Sequence, residues 1–152
     1  MNHNKFCREL LKVVVKDLEQ PKEYRKPTAM YSLSDSGDRI SISYNGIFAL
    51  ITDRDRVPFD LGMLKQSGTL YKNNAALESG ATDVYLTDKR IAKGNDLIAV
   101  FDDGSLVNAK FLSFFPNGAT FARNGCAVFV YDGGEWCGVI MCMRKDDDKR
   151  AR

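Results

Sequence analysis

Cys126-Ala-Val-Phe-Val-Tyr131, Asp132-Gly133-Gly134-Glu135 and Trp136-Cys-Gly-Val-Ile-Met-Cys-Met143 run consecutively, and their reading governs that of the rest of the chain. Two apolar runs rich in β-branched and aromatic residues flank a pair of glycines that tolerate positive φ, so the segment predicts a β-hairpin. Neither run alternates strictly with polar residues, so both strands are expected to be covered on both faces. The hairpin holds the only tryptophan and three of the four cysteines. It marks a core and carries no chemistry by itself.

Upstream, the hydrophobic period is two. Ala29, Tyr31 and Leu33 alternate with Ser32 and Ser34, and Ile40, Ile42 and Tyr44 alternate with Arg39, Ser41 and Ser43. Such alternation predicts half-buried strands with one polar face. Asp35-Ser-Gly-Asp38 separates them as a turn, and Asn45-Gly46 is the preferred pair for a type I′ turn into Ile47–Thr52. A three-strand meander follows from this. Pro58 prevents continuation as a central strand, and Leu61–Leu70 reads equally as loop or irregular strand. A short helix is expected over Asn74–Ser79, stopped by Gly80. Strands are expected over Thr82–Thr87 and Leu97–Phe101, over Leu106–Phe115 as one long strand broken by Pro116, and near Phe121.

At the other end, Phe6, Cys7, Leu10, Leu11, Val14, Val15 and Leu18 recur at helical spacing, so Asn4–Gln20 predicts an amphipathic helix stopped by Pro21. The expected fold is α+β and strand-rich. A single domain covers residues 1–152: a helix over 4–20 packs on a bent antiparallel sheet or half-barrel over 28–143, and 144–152 is a charged tail.

At 152 residues, with 44% apolar and 28% charged side chains, the chain has the composition of one globular domain. No run approaches the roughly 18 apolar residues that span a bilayer, and no apolar leader opens the sequence, so a cytoplasmic protein without membrane contact is expected. The net charge of +2 lies wholly in the tail: the residues before Arg144 carry 17 basic and 17 acidic side chains. A nucleic-acid role must therefore rest on a local patch. Placed at about 100° per residue, Lys5, Arg8, Lys12 and Lys16 fall in an arc of roughly 80° opposite the apolar stripe, with Glu19 among them. The arc reads as a solvated face or as a surface for phosphates.

Cys7, Cys126, Cys137 and Cys142 form no CxxC pair, and the only histidine is His3. That spacing gives no zinc site and favours buried free thiols, so no metal or cofactor is expected. No nucleophile elbow, P-loop or dinucleotide fingerprint is present. The close carboxylates, Asp53 with Asp55 and Asp35 with Asp38, sit in turns where solvated aspartates are ordinary. No catalytic residue is assigned. Arg25 and Lys26, with Asp53, Arg54, Asp55 and Arg56, are the further surface candidates.

The order of amphipathic basic helix, Lys26-Pro-Thr-Ala-Met-Tyr31, glycine turn and Ile47-Phe-Ala-Leu-Ile-Thr-Asp-Arg54 resembles one domain of the DNA sliding clamps, similar to the bacterial polymerase III beta subunit. The resemblance covers about residues 5–60. It implies a clamp-like fold whose helix presents Lys5, Arg8, Lys12 and Lys16 to DNA, with Arg25 and Lys26 beside them. The expected function is a small non-enzymatic binding module, a clamp-like accessory of DNA transactions in a phage or mobile element. The alternatives are a protein–protein interaction or structural module without nucleic-acid contact and, third, a small hydrolase using carboxylates. DNA or a protein is the expected partner, and an oligomer is compatible with each reading.

Overall fold

The computed structural model describes residues 5, 8–10, 12, 29–44, 47–57 and 60–143. Strands β1 (Ala29–Leu33), β2 (Arg39–Tyr44) and β3 (Phe48–Asp53) form the expected meander. Next come β4 (Lys65–Gln66), helix α1 (Leu70–Glu78), β5 (Thr82–Val84), β6 (Leu86–Lys93), β7 (Asp96–Phe101) and β8 (Leu106–Asn108). Helix α2 (Ala109–Leu112), β9 (Thr120–Asn124), β10 (Ala127–Asp132) and β11 (Glu135–Met141) complete the order.

Two sheets form. One has eight strands in the order β4-β1-β2-β3-β11-β10-β9-β5, and the other has three in the order β6-β7-β8. The α+β, strand-rich expectation holds. The single antiparallel sheet or half-barrel is corrected: there are two sheets, and the larger is mixed because β4 runs parallel to β1. Lys5, Arg8, Glu9, Leu10 and Lys12 are helical as expected, with Leu10 buried in the main core. The rest of 4–20, the Asn45-Gly46 turn and the tail 144–152 lie outside the described residues.

The β10–β11 hairpin sits inside the large sheet, between β9 and β3. Its turn uses Gly133 at φ +60° and Gly134 at φ +84°, the positive values of a type I′ turn. Neighbours on both edges and cover on both faces explain why both runs are almost continuously apolar. On one face Phe48 packs its ring 5.3 Å from Phe111, 5.2 Å from Phe114 and 5.8 Å from Phe115. Phe115 reaches the sheet only because position 138 is glycine. A Cβ there would stand 2.7 Å from the Phe115 Cε1 and 3.3 Å from the Ala49 carbonyl oxygen.

On the other face Ala49, Ile51, Ala127, Phe129 and Val139 form a second core beneath Tyr71, Tyr131 and Trp136. Helix α1 covers this face. The Tyr71 N–H donates to the Ser32 hydroxyl at 3.0 Å, and the Tyr131 hydroxyl donates to Glu78 at 2.7 Å. The polar alternation in β1 and β2 therefore does not face water: Ser32, Ser41 and Ser43 are buried. Two further expectations are corrected. Helix α1 begins earlier than Asn74, and Leu106–Phe115 is a short strand followed by a helix, because the Asn108 side chain accepts from the Lys110 N–H at 3.0 Å and caps α2.

Burial pushes the Cys137 thiol up to about 11. Burial, followed by the Glu78 carboxylate, also raises the Tyr131 hydroxyl well above its ordinary value. The unfolded chain releases these protons first, near the ordinary values of about 8.5 and 10. Their stabilising effect is thus complete below about pH 8 and is lost as pH climbs through the region of 9 to 11. Melting temperatures measured along that range are expected to fall less steeply for Tyr131→Phe combined with Cys137→Ala than for the parent; equal slopes would refute the assignment.

Candidate interaction cleft

Strand β5 ends the large sheet and β6 begins the small one, with Tyr85 alone between them. Its backbone is held on both sides: the Tyr85 N–H donates to Asp102 Oδ1 at 2.9 Å, and the Asp102 N–H donates to the Tyr85 carbonyl at 2.8 Å. The residue is nevertheless 66% exposed. It forms part of the mouth of an open cleft of about 700 Å³ between the two sheets. Asp83 and Phe121 from the large sheet, Leu86 and Arg90 from the small one, and Ser113 and Phe115 from the segment after α2 line it.

Strand β6 is irregular near this cleft because its register with β7 shifts between Leu86 and Arg90. The bulge has local supports. Thr87 Oγ1 donates to the Val100 carbonyl at 2.7 Å, and Arg90 Nη1 donates to the carbonyls of Thr87 at 2.7 Å and Lys89 at 2.9 Å. A bulge re-aims the side chains beyond it. Here Arg90 lies opposite Ala99 on the face that carries the core, and it turns into the cleft.

The sequence candidates do not gather at this cleft, with one exception. Lys5 Nζ donates to Ser113 Oγ at 2.6 Å and lies 5.3 Å from the Phe114 ring centroid. Arg8 is exposed, and Lys12 pairs with Glu9 at 3.4 Å. Lys16, Arg25 and Lys26 lie outside the described residues.

The Asp53–Arg56 group lies elsewhere and belongs to an ion-pair knot. Arg39 donates to Asp53 at 2.9 Å, to Glu135 at 3.0 Å and to the Trp136 carbonyl at 2.8 Å, joining β2, β3 and β11. Arg56 adds a contact to Asp53 at 3.5 Å, and Arg54 and Asp55 are exposed. Asp38 is held by Ser36 and Ser34, whose hydroxyls lower its carboxyl below the ordinary value. Arg39 and Tyr85 were not singled out by sequence reasoning. Arg39 looked like one polar residue in an alternating strand, and Tyr85 like one residue in a continuous one.

The cysteines divide by burial: Cys137 is buried, Cys142 is half-buried, and Cys126 is exposed, which corrects the expectation of buried thiols for Cys126. Among the described residues no group of three or more His, Cys, Asp or Glu side chains could hold a metal ion, and no helix is long and apolar enough to cross a membrane. Fold and cleft together define a strand-rich α+β protein with an exposed hairpin beside an open groove. No protein-family model matches the chain, and no curated protein or solved structure matches it either.

Proposed function

We propose that this chain is a non-enzymatic interaction module that takes an extended, acidic segment of a partner protein along β6 and into the adjoining cleft. The observation that carries this reading is the crowding of exposed apolar side chains on one hairpin. Tyr85, Leu86, Ile91 and Leu97 are 66, 36, 40 and 50% exposed, whereas elsewhere among the described residues Ile47 and Met141 form only a pair and Leu77 stands alone. Strand β6 is terminal in its sheet, so its outer edge offers backbone groups for strand addition. Lys89, Arg90 and Lys93 outnumber Asp88 on that strand, which complements an acidic partner. The pinned backbone of Tyr85 displays its ring at little entropic cost on binding.

Of the close carboxylates, Asp53 is paired with Arg39 and Arg56 and Asp38 with serine hydroxyls, which supports a binding role over hydrolysis. The DNA reading would rest on the basic arc. In the described part of that arc Lys5 is engaged with Ser113 and Lys12 with Glu9, which supports a protein partner ahead of DNA.

Selection of displayed random peptides against the purified protein tests the proposal. Enriched peptides are expected to alternate apolar and acidic residues and to lose about tenfold or more in affinity against Ile91→Lys and Tyr85→Ala. Absence of enrichment, or affinity unchanged by both substitutions, would remove β6 as the docking edge. Binding of an oligonucleotide at about 50 mM salt that Lys89→Glu with Lys93→Glu abolishes would put nucleic acid first.

A further inference from the structure

We infer that Cys126 and Cys142 form a dithiol site that is oxidised to an intramolecular disulfide by low-molecular-weight disulfides. The hairpin register runs Val128 opposite Ile140 and Ala127 opposite Met141, so its next pair is Cys126 opposite Cys142. The Cys142 N–H donates to the Cys126 carbonyl at 2.7 Å, one of the two bonds such a pair makes, and brings the two residues together just beyond the ends of the strands. Directly opposed residues of a hydrogen-bonded antiparallel pair have Cα atoms about 5.5 Å apart. That separation falls inside the span of about 4.4–6.8 Å that a disulfide bridges.

Cys142 follows β11 in line with Ile140 and packs against the main core, whereas Cys126 is the second residue of the two-residue turn between Asn124 and Ala127 and is exposed. Arg123 holds the turn in place: Nη1 donates to the Gly125 carbonyl at 2.6 Å, and Nε donates to Asp103 at 2.6 Å. Burial, foremost, holds the Cys142 thiol above its ordinary value, with the Arg123 guanidinium opposing and the Cys126 thiol adding to the effect.

The exposures of the two thiols set the order of events. Exposed Cys126, as the thiolate, attacks a disulfide RSSR, releases one RSH after proton uptake and becomes a mixed disulfide. The Cys142 thiolate then attacks the Cys126 sulfur and expels the second RSH. Two protein thiols are oxidised to one disulfide, and one RSSR is reduced to two RSH. The new bond would tie the end of β11 to the β9–β10 turn. Met143, the next residue, donates its N–H to the Leu106 carbonyl of the small sheet at 2.8 Å, so the bond reaches the junction of the two sheets.

Equilibration of the full chain with oxidised and reduced glutathione, followed by peptide mapping under thiol-blocking conditions, tests the site. The expected product in the parent is a peptide linked through Cys126 and Cys142, with a melting temperature raised by several degrees. Cys142→Ala is expected to stop at a stable glutathione adduct on Cys126, and Cys126→Ser to leave Cys142 unmodified until denaturant is added. A glutathione adduct persisting on Cys126 in the parent would overturn the inference. So would pairing of Cys126 with Cys7 or with a second chain, or no reaction at any glutathione ratio. The parent mapping decides the matter even if a variant fails to fold.

Discussion

The Val139→Asp chain is expected to be recovered unfolded or aggregated. Val139 is 3% exposed and lies opposite Phe129 on one side and Ala49 on the other, beneath the aromatic cover of Tyr71 and Trp136. A carboxylate there meets apolar side chains in place of water, and an unpaired buried charge costs many kcal/mol or shifts its pKa to remain neutral. Total stabilities of single domains are about 5–15 kcal/mol, so one such substitution removes a large part of the whole. Size-exclusion chromatography and a circular-dichroism melt check the result. A monomer melting within about two degrees of the parent, where one kcal/mol moves a domain of this size by about 2–4 °C, would show that this face is not a core.

Phe48→Ala is expected to cost about 3–5 kcal/mol, the range for truncating a buried aromatic residue. Phe48 is 2% exposed, and it is the one ring among the described residues that touches Phe111, Phe114 and Phe115 together. Those three belong to α2 and the turn after it, and Phe115 is seated on Gly138. Losing Phe48 therefore leaves a void between the large sheet and the segment that borders the cleft. A urea titration should show a lowered midpoint with a nearly unchanged slope. A loss below about 1 kcal/mol would mean that the segment holds to the sheet by other contacts.

Glycine conformation, short-range alternation and near-continuous apolar runs are local properties, and the parts of the fold that depend on them were legible. The Gly133-Gly134 turn, the β1–β3 meander and the buried β10–β11 hairpin all follow from residues close together in the chain. Leu106–Phe115 marks the limit of that reasoning. A short apolar run fits a strand or a buried helix equally, and the Asn108 cap tips the balance towards α2.

Which strand lies beside which is decided by pairings between segments far apart in sequence, and no local period reports them. The placement of β11 against β3 is one such pairing. It also explains the buried Ser32, Ser41 and Ser43: their alternation with apolar residues was genuine, but α1 covers the face that alternation left polar. The candidate surfaces are non-local in the same way. Lys5 was legible as a base on a helix, yet its partner is Ser113, and Asp53 was legible as a turn carboxylate, yet its partner Arg39 comes from another strand. The hairpin, the meander and the α+β class follow from local residue order, because turn chemistry and hydrophobic period act between near neighbours. The split into two sheets, the exposed Tyr85 beside a cleft and the meeting of Cys126 with Cys142 depend on long-range packing. Each of these arises where separate segments come together, and the order of residues along either segment alone does not encode the distance between them.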